Sequence, residues 1–171
     1  GTSHQNKFAR IREVVVRISW IEPDVLAASG LPTEPDDLQA LYDQGIRAII
    51  TLTERPLIGR NNVTDAMFAQ IGLEALHAPI DDHHAPDDPQ FVVQVTQYIE
   101  QKRAENKPVL IHCAAGIGRT GTMLHAYYLE MGYSLEEAKA KILKMRPMSS
   151  YIMLHDRQQA FLEVYAERKA T

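Results

Sequence analysis

Val109-Leu110-Ile111 runs without polar alternation into His112-Cys113, and from there into a stretch carrying glycine at 116, 118 and 121. A strand apolar on both faces is the habit of parallel sheets, which need helices above and below them. One that ends in glycines and resumes as helix from Thr120 onward makes a strand–loop–helix unit. At such a junction the backbone N–H groups and the helix dipole attract an anion.

Strand and helix patterns alternate on the N-terminal side of this unit. Val14–Ile21, rich in β-branched and aromatic residues and followed by Pro23-Asp24, predicts a strand and turn, and Val25–Ser29 a second short strand. Pro35-Asp36-Asp37 opens a helix with Leu38, Leu41 and Tyr42 on one face and Gly45 just past its end. Ile46–Leu52 predicts a buried strand, 53–62 a loop, 63–72 a short helix ended by Gly72, and 73–80 another strand. After the acidic loop 81–89, Phe91, Val92, Val95, Tyr98 and Ile99 recur at helical spacing, and beyond Thr120 every pattern is helical. The expectation is an α/β fold: a mostly parallel central sheet flanked by helices on both sides, with a helical C-terminal third. A length of 171 residues at 45% apolar content suits one domain, placed at 13–171 behind a polar tail, 1–12.

Gly116, Gly118 and Gly121 form a complete GxGxxG, which admits a dinucleotide reading. That reading needs an acidic residue at the end of a following strand to hold the ribose. Glu136 and Glu137 lie at about the right distance, but Ser134 and Glu137 have capping-box spacing and Leu135, Ala138, Ile142 and Met145 follow with helical period. The glutamates belong to a helix, and the ribose partner is lost.

A phosphate cradle around Cys113, the chain's only cysteine, uses more of the residues. Cys113 to Arg119 spells C-x5-R. The N–H groups and dipole favour a thiolate, Arg119 offers a planar fork for two phosphate oxygens, and Thr120 can donate its hydroxyl toward the sulfur. His112 is expected behind the nucleophile, orienting the loop. Ala114, Ala115, Gly116, Ile117, Gly118, Arg119 and Thr120 are the expected substrate-binding set.

The stretch HCAAGIGRTG resembles the signature loop of the protein tyrosine and dual-specificity phosphatase superfamily. The resemblance extends through SWIEPDVLAASGLP, IITLTERP, PIDDHHAP and KMRP, and is to the short, atypical, single-domain dual-specificity phosphatases. It implies a protein tyrosine phosphatase-like fold and a phosphomonoesterase working through a phosphocysteine on phosphotyrosine, with phosphoserine and phosphothreonine as further substrates. It also aligns Asp82 with the general acid, Asp81 being the fallback; an adjacent carboxylate and a phosphate dianion would help such a group hold its proton. The departure lies in RPMSSYIMLHDRQQ, where relatives supply a residue that places the hydrolytic water: His155, Asp156, Gln158 and Gln159 are all candidates, and none is assigned.

No cofactor and no metal are expected, since His83 and His84 are adjacent loop residues without ligand spacing. With 22 acidic against 18 basic residues, no global field favours nucleic acid. A single cysteine and the lack of a membrane-length apolar run point to a monomeric cytoplasmic protein with a phosphorylated protein or peptide as partner, and to no membrane partner. Arg55 and the basic residues Lys7, Arg10, Arg12 and Arg17 read first as solvated and second as contacts for acidic substrate. The alternatives are a phosphatase acting on RNA 5′-phosphates or on a small phosphorylated metabolite, and a non-catalytic phosphate-binding module.

Overall fold

The computed structural model describes residues 16–171. The tail, most of the first basic cluster and the start of the predicted Val14–Ile21 strand lie outside the described residues. Five strands pair in the order β1-β2-β5-β3-β4: β1 Ser19–Glu22, β2 Leu26–Ser29, β3 Ala48–Thr51, β4 Glu74–His77 and β5 Val109–His112. Only the β1–β2 pair is antiparallel. Among the described residues the first strand is Ser19–Glu22, its ladder running from Ser19↔Ala28 to Glu22↔Leu26 with a register shift between Trp20 and Glu22.

The helices are α1 Pro35–Asp43, α2 Asp65–Ile71, α3 Gln90–Ala104, α4 Gly118–Glu130, α5 Leu135–Met145 and α6 Asp156–Ala170, with 3-10 turns at Pro147–Ser149 and Tyr151–Met153 before α6. Their ends follow local chemistry. Gly45, at φ 105°, takes the left-handed position after α1, and Ser134 and Glu137 cap each other at the start of α5.

The two faces of the sheet build two cores. Ala27, Ile49 and Leu110 pack with Leu38 and Leu41 of α1 and Phe68 of α2. Their strand neighbours Leu26, Ala28, Ala48, Ile50, Val109 and Ile111 point the other way, onto α3 to α6. Helix α4 is buried from Arg119 to Leu129, held between the sheet and the surrounding helices. Among the described residues, no helix is long and apolar enough to cross a membrane.

The functional consequence lies at the carboxyl ends of the strands. His112 of central β5 is in register with Ser29 of β2 and Thr51 of β3. The loops after all three strands therefore leave the sheet side by side, at the edge where open α/β sheets place their ligands.

Candidate active site

Residues 113–117 form a loop pinned from behind. His112 Nδ1 donates to the Cys113 carbonyl at 3.0 Å, and the Leu31 N–H donates to the Ala114 carbonyl at 3.0 Å. The Gly116 carbonyl receives Arg146 Nη2 at 3.0 Å, Arg146 Nε at 3.2 Å and the Ser149 hydroxyl at 2.7 Å. In a trans peptide, C=O of one residue and N–H of the next point to opposite sides. Fixing these three carbonyls outward therefore turns the N–H groups of Ala114, Ala115 and Ile117 inward, and those three residues line the pocket.

Helix α4 continues the same surface. Helices α2 and α5 begin on hydroxyls that accept from their first turn, Thr64 and Ser134. Helix α4 begins on Ile117, with no side-chain cap. Its first-turn donors are left for an incoming anion.

The cavity, of about 270 Å³, is lined by Cys113, Ala114, Ala115, Ile117, Gly118 and Arg119 on the loop side and by Asp82, His83, Met153, His155 and Gln158 opposite. Cys113 is only 3% exposed, and Thr120 donates its hydroxyl to Sγ at 3.0 Å. Two residues of the expected substrate-binding set stand behind the wall instead. Gly116 is buried, its carbonyl drawn toward Arg146 and its φ at +74°, where an added Cβ would lie 2.6 Å from Arg146 Nη2 and from the Ser29 carbonyl oxygen. Thr120 is fully buried and reaches the site only through the sulfur.

Arg119, 4% exposed, is held along one side of its fork. Nη1 donates to Glu54 and, at 3.0 Å, to the Ile80 carbonyl, while Nη2 lies 3.4 Å from Asp82 Oδ1. Among the described residues Nε has no hydrogen-bond partner, so a ligand that accepts two hydrogen bonds would take Nε and share Nη2 with Asp82. Its own backbone N–H and the Arg119 guanidinium hold the Glu54 carboxyl below the usual carboxylate range.

Asp82 stands in this cavity; Asp81 lines a separate recess with Pro79, Pro86 and Asp87. The loop carrying them folds on itself: the His83 N–H donates to Asp82 Oδ1 at 3.0 Å, and His84 Nδ1 to the Asp82 carbonyl at 2.7 Å. The two histidines diverge, His83 stacking on His155 with centroids 4.2 Å apart and His84 Nε2 accepting from Arg157. Among the candidates in the last segment, His155 and Gln158 reach the cavity, whereas Gln159 is bonded to the Tyr151 carbonyl and Asp156 is exposed. Arg55 and Arg17 are exposed.

A family profile described as a DSP-PTPase phosphatase of polymorphic toxin systems matches residues 28–133, from β2 through α4. The chain belongs to this DSP-PTPase family. Human dual specificity protein phosphatase 6 is 30% identical over 118 residues, which are 68% of this chain and 29% of that protein. The chain thus spans less than a third of that relative's length. Among solved structures, Tk-PTP in its active form superposes with a TM-score of 0.74 at 28% identity, covering 88% of this chain and 97% of its own. The kinase associated phosphatase shares the fold, with a TM-score of 0.73 at 20% identity over 94% of this chain and 99% of its own.

Arg146 and Ser149 of this DSP-PTPase chain are site residues that sequence reasoning missed, and both lie beyond the matched segment. Arg146 is 4% exposed and, among the described residues, pairs with no carboxylate; besides Gly116 and Ser149 it binds the Ser19 hydroxyl at 2.8 Å. Arg146 falls in the KMRP segment of the resemblance, but a basic residue after an amphipathic helix reads equally well as solvated, so no role was given to it. Glu54 was hidden for a similar reason, being a loop carboxylate that stays half-exposed even where the fold sets it beside Arg119.

His112 acts as a neutral spacer in the DSP-PTPase loop. Burial lowers its pKa to about 4, against the opposing effect of its bond to the Cys113 carbonyl, while Nε2 accepts from the Thr51 hydroxyl at 2.8 Å. Because the folded value lies below the ordinary 6.5, the stabilisation is complete above that pH and drains away as pH falls toward 4. The full swing is about 3 kcal/mol. Denaturant midpoints measured between pH 7 and 4.5 are expected to fall in the parent and to flatten in His112→Asn; equal slopes would assign the loss to other groups.

Proposed function

We propose that the protein is a cofactor-independent phosphomonoesterase acting on phosphorylated tyrosine, and on phosphoserine or phosphothreonine, in a protein or peptide. The observation that carries the reading is the Cys113 sulfur beneath a ring of inward N–H groups, with the cavity-facing edge of Arg119 beside it and the Thr120 hydroxyl behind it. The thiolate attacks phosphorus, an S–P bond forms, and the ester P–O bond breaks as Asp82 gives its proton to the departing oxygen. Water then attacks phosphorus and releases inorganic phosphate and the thiolate, and its proton returns to Asp82. In both steps the loop N–H groups and Arg119 take up the equatorial charge. The Thr120 bond to sulfur favours cysteine as the second leaving group. The neutral side chains of the loop fit a single phosphate better than a cluster of them.

Cys113 must be ionised and Asp82 protonated, so kcat/KM for an aryl phosphate in the presence of a metal chelator is expected to be bell-shaped, with its maximum on the acid side of neutrality. Asp82→Asn removes the alkaline limb and costs about 100-fold on substrates with poor leaving groups. Activity undiminished at alkaline pH would overturn the assignment of Asp82.

A further inference from the structure

Gln158 is fully buried, although its side chain carries two donors and an acceptor. It sits at the third position of α6, where Oε1 accepts the His155 N–H at 2.9 Å. Its Nε2 donates to the His84 carbonyl at 3.1 Å, crossing to the loop that holds Asp82. The amide also turns its nitrogen–oxygen edge toward Gly118, where an added Cβ would come within 3.1 Å of both Nε2 and Oε1. One side chain therefore touches the anion loop, the first turn of α6 and the Asp82 loop together.

Two neighbours at the start of α6 hold the same loop from outside: Arg157 donates to His84 Nε2, and the ring of His155, just before the helix, packs on His83. The other ring nitrogen of His84, Nδ1, donates to the Asp82 carbonyl. The chain of contacts thus runs from α6 through residue 84 to the backbone of Asp82 itself. His83, at φ 64°, is in the left-handed region, and a non-glycine residue is kept there by surrounding contacts.

We infer that Gln158, backed by Arg157, is a positioning residue that latches the Asp82 loop against the anion loop and so sets proton delivery to the leaving oxygen. The kinetic consequence rests on the phosphatase reading; the mechanical one does not. A positioning role through Asp82 makes a distinctive prediction, because a good leaving group departs without a proton and a poor one needs it.

The experiment compares parent, Gln158→Met and Arg157→Met on an aryl phosphate with a good leaving group and an alkyl phosphate with a poor one. Hydrogen exchange across residues 81–88 is measured in each. Gln158→Met is expected to lose about tenfold or more in kcat/KM on the poor leaving group and less than threefold on the good one. Exchange in the loop rises. Arg157→Met, at an exposed position, shows the same pattern with a smaller amplitude, so the test survives if Gln158→Met folds poorly. In an Asp82→Asn background, Gln158→Met is expected to add little further loss. Equal losses on both substrates, accumulation of phosphoenzyme with kcat/KM intact, or unchanged exchange in both variants would overturn the latch. An inactive parent whose loop exchange still rises in the variants would sink the phosphatase reading and leave the latch standing.

Discussion

Cys113→Ser is expected to abolish hydrolysis of an aryl phosphate, by on the order of 10⁴-fold or more, the scale on which removing a covalent nucleophile acts. A serine hydroxyl stays protonated where a thiol ionises, so the S–P bond has no counterpart and the first step stops. Binding should outlast turnover, because the cradle does not depend on sulfur. The outward carbonyls of Cys113, Ala114 and Gly116 are held by His112, Leu31, Arg146 and Ser149, none of which the substitution changes. Titration calorimetry with inorganic phosphate should therefore find parent and variant alike while the rate collapses. Metal-dependent turnover that survives in the variant would mean the loop is not the active site. A parent that binds phosphate but never turns over would make the protein a binding module.

Arg119→Lys is expected to lower kcat/KM for the same aryl phosphate by about 10³-fold, within the range for losing a principal donor to transition-state charge. The guanidinium spans two tasks at once: Nη1 is spent on Glu54 and the Ile80 carbonyl, and the other edge faces the cavity. An ammonium is a point charge, and when it pairs with Glu54 it no longer presents two parallel donors to phosphate. Charge is conserved by the substitution, so a loss of this size measures geometry. A fall of less than tenfold would show that the N–H groups of the loop carry the transition-state charge without the fork.

Much of the fold was legible because it follows from short-range patterns. The apolar runs at Ile46–Leu52 and Val109–Ile111, the paired caps Ser134 and Glu137, and the glycines at 45 and 72 each state a local preference that the tertiary structure keeps. The register shift between Trp20 and Glu22 in the first strand was not legible, because it depends on the pairing with β2, which no local pattern of β-branched residues reports. Asp82 and Asp81 are indistinguishable as residue types. One stands in the cavity and the other lines a separate recess, a difference that depends on how the loop packs and not on residue type.

What the sequence by itself determined is the chemistry on a single contiguous stretch: a thiol, a glycine-bearing anion loop, a guanidinium and a hydroxyl between Cys113 and Thr120, delivered by a buried strand into a helix. That stretch is self-describing because its parts meet within one loop and one helical turn. What only the tertiary structure decided is everything that makes the loop rigid and the site complete. Arg146 and Ser149 reach Gly116 from some 30 positions away, at separations of 30 and 33 residues, and Glu54 reaches Arg119 across 65. Gln158 meets His84 across 74. Contacts at such separations depend on how the sheet and helices pack, and a polar side chain that will be buried against a distant carbonyl looks, in sequence, like one that will be solvated.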